Sequence, residues 1–432
     1  MHASVSGGNK PKKNNDMKLK YSIDDRMPFG QMMLYAMQWF ILAVAVVATS
    51  VWVAPIEERL FFSQKMFALM GITGLLQVII GHRMPLVTGP AAVLLVGVMA
   101  SKGAPAAAIY SAIAVGGALI TLLTFGRVMR YVQRLFTPRI VVVILMLIAF
   151  TLTPVIANNL VFSTQPTDSR LFGLIFAPVG CFAMVILNRT LKGVGKSLVI
   201  PIALVAGSVA YYLIYPTPEM AVSNGALSGV FIEEFTFDWG LVIAFVICYI
   251  ALLINDIGSI ESLGTMLQVD NMERRMRRGV RLTGVMNILA GAVGVLGPVN
   301  YSMSPGIIAA SGCASRMALI PATLLLTLCA LSPETIWVLI NIPNPVIGVI
   351  LLFLMGTQLA ASFEMLHSTK AVQSFADGLT LGLPLMVAML FTMMPKGIAP
   401  AVIEPLVGNG FAMGVIVVMI MEHVVNRPKR VK

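Results

Sequence analysis

Along this chain the polar residues fall in short clusters and the apolar ones in long runs. Apolar stretches of about 15 to 22 residues follow one another from Met33 to Val425, the length at which a helix crosses the hydrocarbon of a bilayer. Fourteen can be marked, near 32–54, 67–81, 85–99, 104–124, 140–156, 172–188, 197–215, 239–260, 282–296, 303–314, 317–332, 343–361, 379–394 and 408–425. None alternates polar and apolar positions with period two, so the pattern predicts membrane helices and excludes the strands of a membrane barrel. Several runs are short or interrupted, which predicts broken helices among the full spans.

Composition sharpens this picture. With 58% hydrophobic and only 11% charged residues, a chain of 432 residues cannot cover a soluble surface. The net charge of +11 invites a nucleic-acid reading, but its distribution excludes one. Lys10, Lys12, Lys13, Lys18 and Lys20 crowd one tail, and Arg427, Lys429, Arg430 and Lys432 the other. Between spans the basic residues occupy alternate loops: His82 and Arg83; Arg127, Arg130, Arg134 and Arg139; Arg189, Lys192 and Lys196; then Arg274, Arg275, Arg277, Arg278 and Arg281. The intervening loops carry Glu57 and Glu58, and later Glu219, Glu233, Glu234 and Asp238. By the positive-inside rule both termini are cytoplasmic, so the number of spans is even, and the basic tails meet membrane lipid. No cleaved signal peptide is expected, because residues 1–28 are polar and lack an apolar core segment. Cys181, Cys248, Cys313 and Cys329 lie in apolar runs without paired spacing, which reads as packing and not as disulfides or metal ligands. No nucleotide-binding glycine loop or catalytic Ser, Cys or His constellation is present, so neither an enzyme nor a cofactor is expected.

Residues of special backbone chemistry recur at about half the chain length. Pro138 and Pro345 lie 207 apart, Gly89 and Gly306 lie 217 apart, and so do the intramembrane amides Gln38 and Asn255. Two copies of one unit with seven spans each and opposite orientation would satisfy both the offsets and the even count. Met84-Pro85 and Met303-Ser304-Pro305 predict extended interruptions, since proline removes a donor and disfavours a preceding helical residue. Gly89 and Gly306 would then allow close backbone approach, and two half-helices would begin nearby with free N–H groups aimed at one cavity. Paired broken helices of this kind point to a transporter. Asp256, about 21 Å along a helix starting near Leu241, would sit at mid-membrane, where a carboxylate marks a functional site; it is the candidate for binding a coupling proton. A static hydrogen bond to a neighbouring helix is the competing reading. Glu261 falls near the cytoplasmic end and reads as a snorkelling surface residue, while Asn300, Asn341 and Asn344 read as helix caps.

Gln38-Trp39-Phe40, GHRMPLVTGP (81–90), LFTPRIVVVILMLI (135–148), ALLINDIGSIES (251–262), GVLGPVNYSMSPGIIAASGCASR (294–316) and NIPNPVIGVILLFLMG (341–356) together resemble the nucleobase-ascorbate transporter family, the uracil, xanthine and purine permeases. The resemblance covers about residues 30 to 425. It implies an all-α polytopic fold of fourteen helices in two inverted seven-helix halves, with short extended strands in spans three and ten. It also implies a core of spans one to four and eight to eleven (29–135 and 239–335) and a gate of spans five to seven and twelve to fourteen (136–238, with an outer loop, and 336–425). Basic tails at 1–28 and 426–432 complete the division. The family's span-eight carboxylate is matched by Asn255, and its span-ten anchor residues by Met303 and Ser304 before Gly306. Substrate-binding candidates are therefore Asn255, Ser259, Ser302, Met303, Ser304, Thr88, Gly89, Ala92 and Gln38, with Asp256 beside them for the proton. The implied activity is proton-coupled symport of a nucleobase across a bacterial inner membrane by an elevator motion, in a homodimer formed through the gate. A sulfate- or bicarbonate-like anion carrier of the same fold is the alternative.

Overall fold

The computed structural model describes residues 19–48, 50–54, 58–101, 103–125, 137–162, 167–191, 199–215, 229–301, 304, 308, 311–395 and 407–426. Helices α1 (Phe29–Ala48), α2 (Arg59–Ile79), α3 (Ala92–Ala100) and α4 (Ala106–Leu123) open the chain, with strand β1 (Thr88–Pro90) immediately before α3. Helix α5 (Pro138–Thr151) continues through the short α6 (Thr153–Ala157), followed by α7 (Thr167–Thr190) and α8 (Val199–Tyr212). The second half repeats the plan with α9 (Trp239–Met266), α10 (Met272–Ala292), strand β2 (Pro298–Asn300) and α11 (Leu319–Cys329). A connecting helix α12 (Pro333–Ile340) precedes α13 (Asn344–Ser368), α14 (Phe375–Thr392) and α15 (Gly410–Ile420). Eight of these helices are long and apolar enough to cross a membrane, and α11 with α12 forms a ninth candidate bent by 106°. The chain is a multi-pass, all-α membrane protein.

Local chemistry explains the repeat. Pro138 and Pro345 both stand in the first turn of a helix, where a missing N–H leaves no bond unmade; Thr137 caps α5 by accepting from Ile140 N. Prolines also recur inside the next helices, Pro178 in α7 and Pro384 in α14. The strands recur too, but not at the predicted place. The second extended segment is Pro298–Asn300, a few residues before Met303-Pro305, and Gly89 pairs across the sheet with Val299. Ser304 is already helical, as are Ile308 and Ser311, so the second half-helix starts where the sequence predicted an extended stretch. Gly306 lies outside the described residues.

Two helix groups face each other. In one, α4 packs on α9 and α10, α2 on α11, and α1 on α11; in the other, α13 packs on α5, α7 and α8, while α14 and α15 pack on each other and on α5. The α4–α10 contact is backbone-close because a Cβ on Gly117 would lie 2.5 Å from Ile288 N and one on Gly284 2.8 Å from Thr121 N. The groups meet where α3 touches α5 and α9 touches α15. Residues 19–26 of the predicted tail do not hang free: Lys20 N donates to Gly312 O at 2.7 Å, Ala314 N to Tyr21 O at 2.9 Å, and Arg316 pairs with Asp24 at 2.6 Å. This strap ties residues 20–24 to the segment Gly312–Arg316.

Candidate functional site

The two strands form an antiparallel pair buried in the protein, with Thr88 opposite Asn300, Gly89 opposite Val299 and Pro90 opposite Pro298. Ladder bonds continue on both sides, Tyr301 N to Val87 O and Ala91 N to Gly297 O, each 2.9 Å. Non-helical backbone at membrane depth must be satisfied by protein, and the pair does this reciprocally. Gly89 is required by space: a Cβ there would stand 2.7 Å from both the Tyr301 ring and Val46 Cγ1. The Tyr301 hydroxyl donates to Pro90 O at 2.6 Å and staples the crossing.

A cavity of about 510 Å³ opens beside the pair, between the two helix groups. Its first wall comprises Val46 of α1 and Ser50 after it, Pro90 to Val93 and Leu95, Leu252 and Asn255 of α9, and Val299 and Tyr301. Leu145, Ile148 and Leu152, Asn188 of α7, and α13 residues including Leu351, Met355 and Gln358 form the opposite wall. Among the described residues no charged side chain lines it. Gln358 donates to Leu145 O at 3.0 Å, and Ser50 to Val47 O at 2.8 Å, so both are partly committed to backbone. The half-buried Asn255 amide and the first N–H groups of α3, at Ala92 and Val93, which by position have no intrahelical acceptor, supply directional polarity in an otherwise apolar chamber.

Asp256 follows Asn255 by one position and is fully buried behind the wall. Its Oδ1 accepts from Asn300 N at 3.0 Å and from Asn300 Nδ2 at 2.8 Å. Thr283 of α10 also acts on this carboxyl, but Oδ2 has no hydrogen bond of full geometry among the described residues. Asn300 Oδ1 in turn accepts from Thr88 Oγ1 at 3.2 Å and lies 3.2 Å from His82 Nε2. His82 Nδ1 accepts from Met84 N at 3.0 Å, which fixes a neutral ring whose Nε2–H donates to Asn300. Gln77 of α2 extends the network, donating to Thr283 Oγ1 and Gly279 O at 3.0 Å each.

Of the predicted site residues, Asn255 and Ala92 line the cavity. Thr88, Gly89, Ser259, Ser304 and Asp256 stand behind it. Ser304 Oγ accepts from Val87 N at 3.0 Å, and Ser259 Oγ donates to Asn255 O at 2.8 Å, so these hydroxyls brace backbone. Gln38 is buried in α1 away from the cavity lining, and Ser302 and Met303 lie outside the described residues. Glu261 is exposed, in keeping with a surface residue. Asn300 is no helix cap; it is the hub of the network, and neither it nor His82 was predicted at the site. The available signal was an asparagine and a histidine each beside a proline-containing break.

The two repeated helical halves with their crossed strands are shared with solved anion transporters. The transmembrane domain of the cyanobacterial bicarbonate transporter BicA superposes with a TM-score of 0.61 at 13% identity, covering 93% of this chain and 99% of that one. The murine anion transporter Slc26a9 in its inward-facing state gives 0.60 at 14%, covering 95% and 73%. These likenesses establish the inverted-repeat fold. The profile of the permease family that includes the xanthine and uracil permeases matches residues 30–397, and the chain belongs to that family. A candidate purine permease of Clostridium perfringens is 24% identical over 95% of this chain and 94% of its own length. Uric acid permease PucK of Bacillus subtilis is 24% identical over 63% and 64%, and xanthine permease XanP of Escherichia coli 23% over 70% and 68%. The protein is a membrane permease and not an enzyme.

Proposed function

We propose that this permease carries a nucleobase, a purine such as xanthine or a related oxo-heterocycle such as uracil, coupled to a cation and most simply to a proton. The observation that carries the reading is the cavity itself: a chamber of about 510 Å³ with apolar walls, one free-facing amide at Asn255, and a helix N-terminus at Ala92. A flat base with alternating N–H and C=O edges matches an amide, which both donates and accepts, and its ring matches the Leu, Ile and Val walls. The names of the relatives point the same way. Asp256 is the coupling residue in this proposal, because a fully buried carboxylate without an ion-pair partner among the described residues is the natural place for a cation to enter and leave.

The helix group at 29–135 and 239–335 is the moving core and that at 136–238 and 336–425 the fixed gate, the cavity lying on their sliding surface. Both termini are cytoplasmic in a bacterial inner membrane, with the tails at 1–28 and 426–432 on lipid, and the gate forms a homodimer. The rival reading, transport of bicarbonate or sulfate, takes its support from the fold neighbours and the absence of an acidic side chain in the described cavity lining. Uptake of labelled xanthine, uracil, adenine and sulfate into proteoliposomes, with and without an inward acid gradient, separates the two. Saturable base uptake enhanced by the gradient is expected; saturable sulfate uptake that no base inhibits would replace the base by an anion.

A further inference from the structure

Two adjacent residue pairs straddle the cavity wall in the same way. On α9, Asn255 faces the cavity and Asp256, about 100° round the helix, faces the interior. On β2, Val299 and Tyr301 face the cavity, while Asn300 between them points to the other side, as strand alternation requires. The inward-pointing members are bonded to each other twice through Asp256 Oδ1. The wall of the cavity is therefore one residue thick, and among the described residues Asn300 is the member of β2 that bonds Asp256 directly, next to Val299 and Tyr301. Resting on the coupling role proposed for Asp256, we infer that Asn300 is the positioning residue that converts cation occupancy at Asp256 into a change of the strand pair at the cavity.

The bonding dictates the direction. An ionised Asp256 accepts from both N–H groups of Asn300 and holds β2 against α9. A proton or another cation enters at the unpartnered Oδ2, removes the negative charge and weakens both bonds to Oδ1, so the hold of Thr88 and His82 on the Asn300 amide, from the first-repeat side, then counts for more. Asn300 thus changes allegiance between α9 and the β1 side while Val299 and Tyr301 move with it. A second link to β2 comes from α10, where Asn287 Nδ2 donates to Pro298 O at 2.9 Å, but it is made to a backbone carbonyl and not to Asp256. Thr283 comes from α10, the His82 ring bonds Asn300 and Met84 N and not the carboxyl, and Arg275 is spent on the carbonyls of His82 and Arg83 at 3.2 and 2.8 Å.

Hydrogen exchange of the purified full-length protein reads this without knowledge of the substrate. In acid and alkaline buffers, each with and without sodium and corrected for intrinsic rates, peptides covering 87–91 and 297–301 are expected to change protection severalfold in the wild type. Asn300→Ala and Asp256→Asn should each flatten that response, while Asn300→Asp, which keeps the backbone bond but adds a carboxylate, should shift the pH at which it occurs. In proteoliposomes, Asn300→Ala should keep counterflow exchange of labelled xanthine within about threefold and lose about tenfold in gradient-driven accumulation. A cation response that survives intact in Asn300→Ala overturns the inference. So does a parallel loss of exchange, accumulation and overall protection in both Asn300→Ala and His82→Gln, which is the signature of a purely structural network. If Asp256→Asn leaves the wild-type response unchanged, the coupling role of Asp256 falls first.

Discussion

Single atoms decide whether the strand crossing can form. Gly89 is one tight point: with 2.7 Å available to the Tyr301 ring on one side and Val46 on the other, even one methyl must displace anchored groups, because Tyr301 is pinned through its hydroxyl to Pro90 O. Gly89→Ala should destabilise the detergent-solubilised protein by about 1–3 kcal/mol, read as a fall in its unfolding midpoint. An unchanged midpoint would mean the strands are freer than their packing indicates. At Asn255 the expectation is different in kind. Its side chain faces the cavity and the interior network does not use it, so Asn255→Ala should leave the midpoint within about 0.5 kcal/mol while weakening xanthine inhibition of uptake about tenfold. Equal loss of stability and binding would make Asn255 a packing residue.

At the scale of elements, helix ends are fastened by short-range chemistry and helix pairs by a few long-range bonds. Helix α14 begins with a capping box in which Ser374 and Asp377 satisfy each other's backbone N–H groups. Asp377 also meets Arg139 of α5 at 3.1 Å, and Arg139 reaches Glu422, beyond α15, at 3.2 Å and Ala371 O at 2.8 Å. One guanidinium thus clasps α5, α14 and the end of α15 at one edge of the second helix group. Arg139→Ala leaves Glu422, whose side chain is only 8% exposed, without that cation, and should cost about 1–2 kcal/mol of stability after allowance for the 30% exposure of Arg139 itself. Glu422→Gln should recover part of that loss in the double variant. Additive losses would show that the clasp contributes nothing as a unit.

For the whole molecule, the proposed mechanism requires relative motion of the two helix groups along the apolar surface between them. Ala92 and Gln358 line opposite walls of the cavity, one on each group. A cysteine at each, in a background with Cys181 and Cys329 replaced by alanine, provides a pair for a short bifunctional maleimide. Cross-linked protein should lose uptake to background, since the link bridges the surface proposed to slide, and should lose more than either single cysteine after the same treatment, which measures the effect of an adduct in the cavity alone. Full activity in the cross-linked protein would exclude a sliding core.

The sequence by itself determined the membrane-helical fold, the doubled plan and the place of the proline-marked helix starts, because hydrophobic length, proline chemistry and the distribution of Arg and Lys are local properties that need no partner. The permease resemblance was legible for the same reason, being carried by contiguous motifs such as ALLINDIGSIES and NIPNPVIGVILLFLMG. Which side chains share a site was legible only in part: the sequence singled out Asn255 for substrate and Asp256 for the proton and set them on different helix faces, but it did not show the partners that surround Asp256. Asn300 and His82 became members through hydrogen bonds spanning 44 residues to Asp256 and 218 residues between themselves. Such pairings exist only once two distant strands cross. The place of β2, five to seven residues before Pro305, was likewise a tertiary decision: backbone at membrane depth takes whichever alignment pairs its N–H and C=O groups, and that is Thr88 on Asn300.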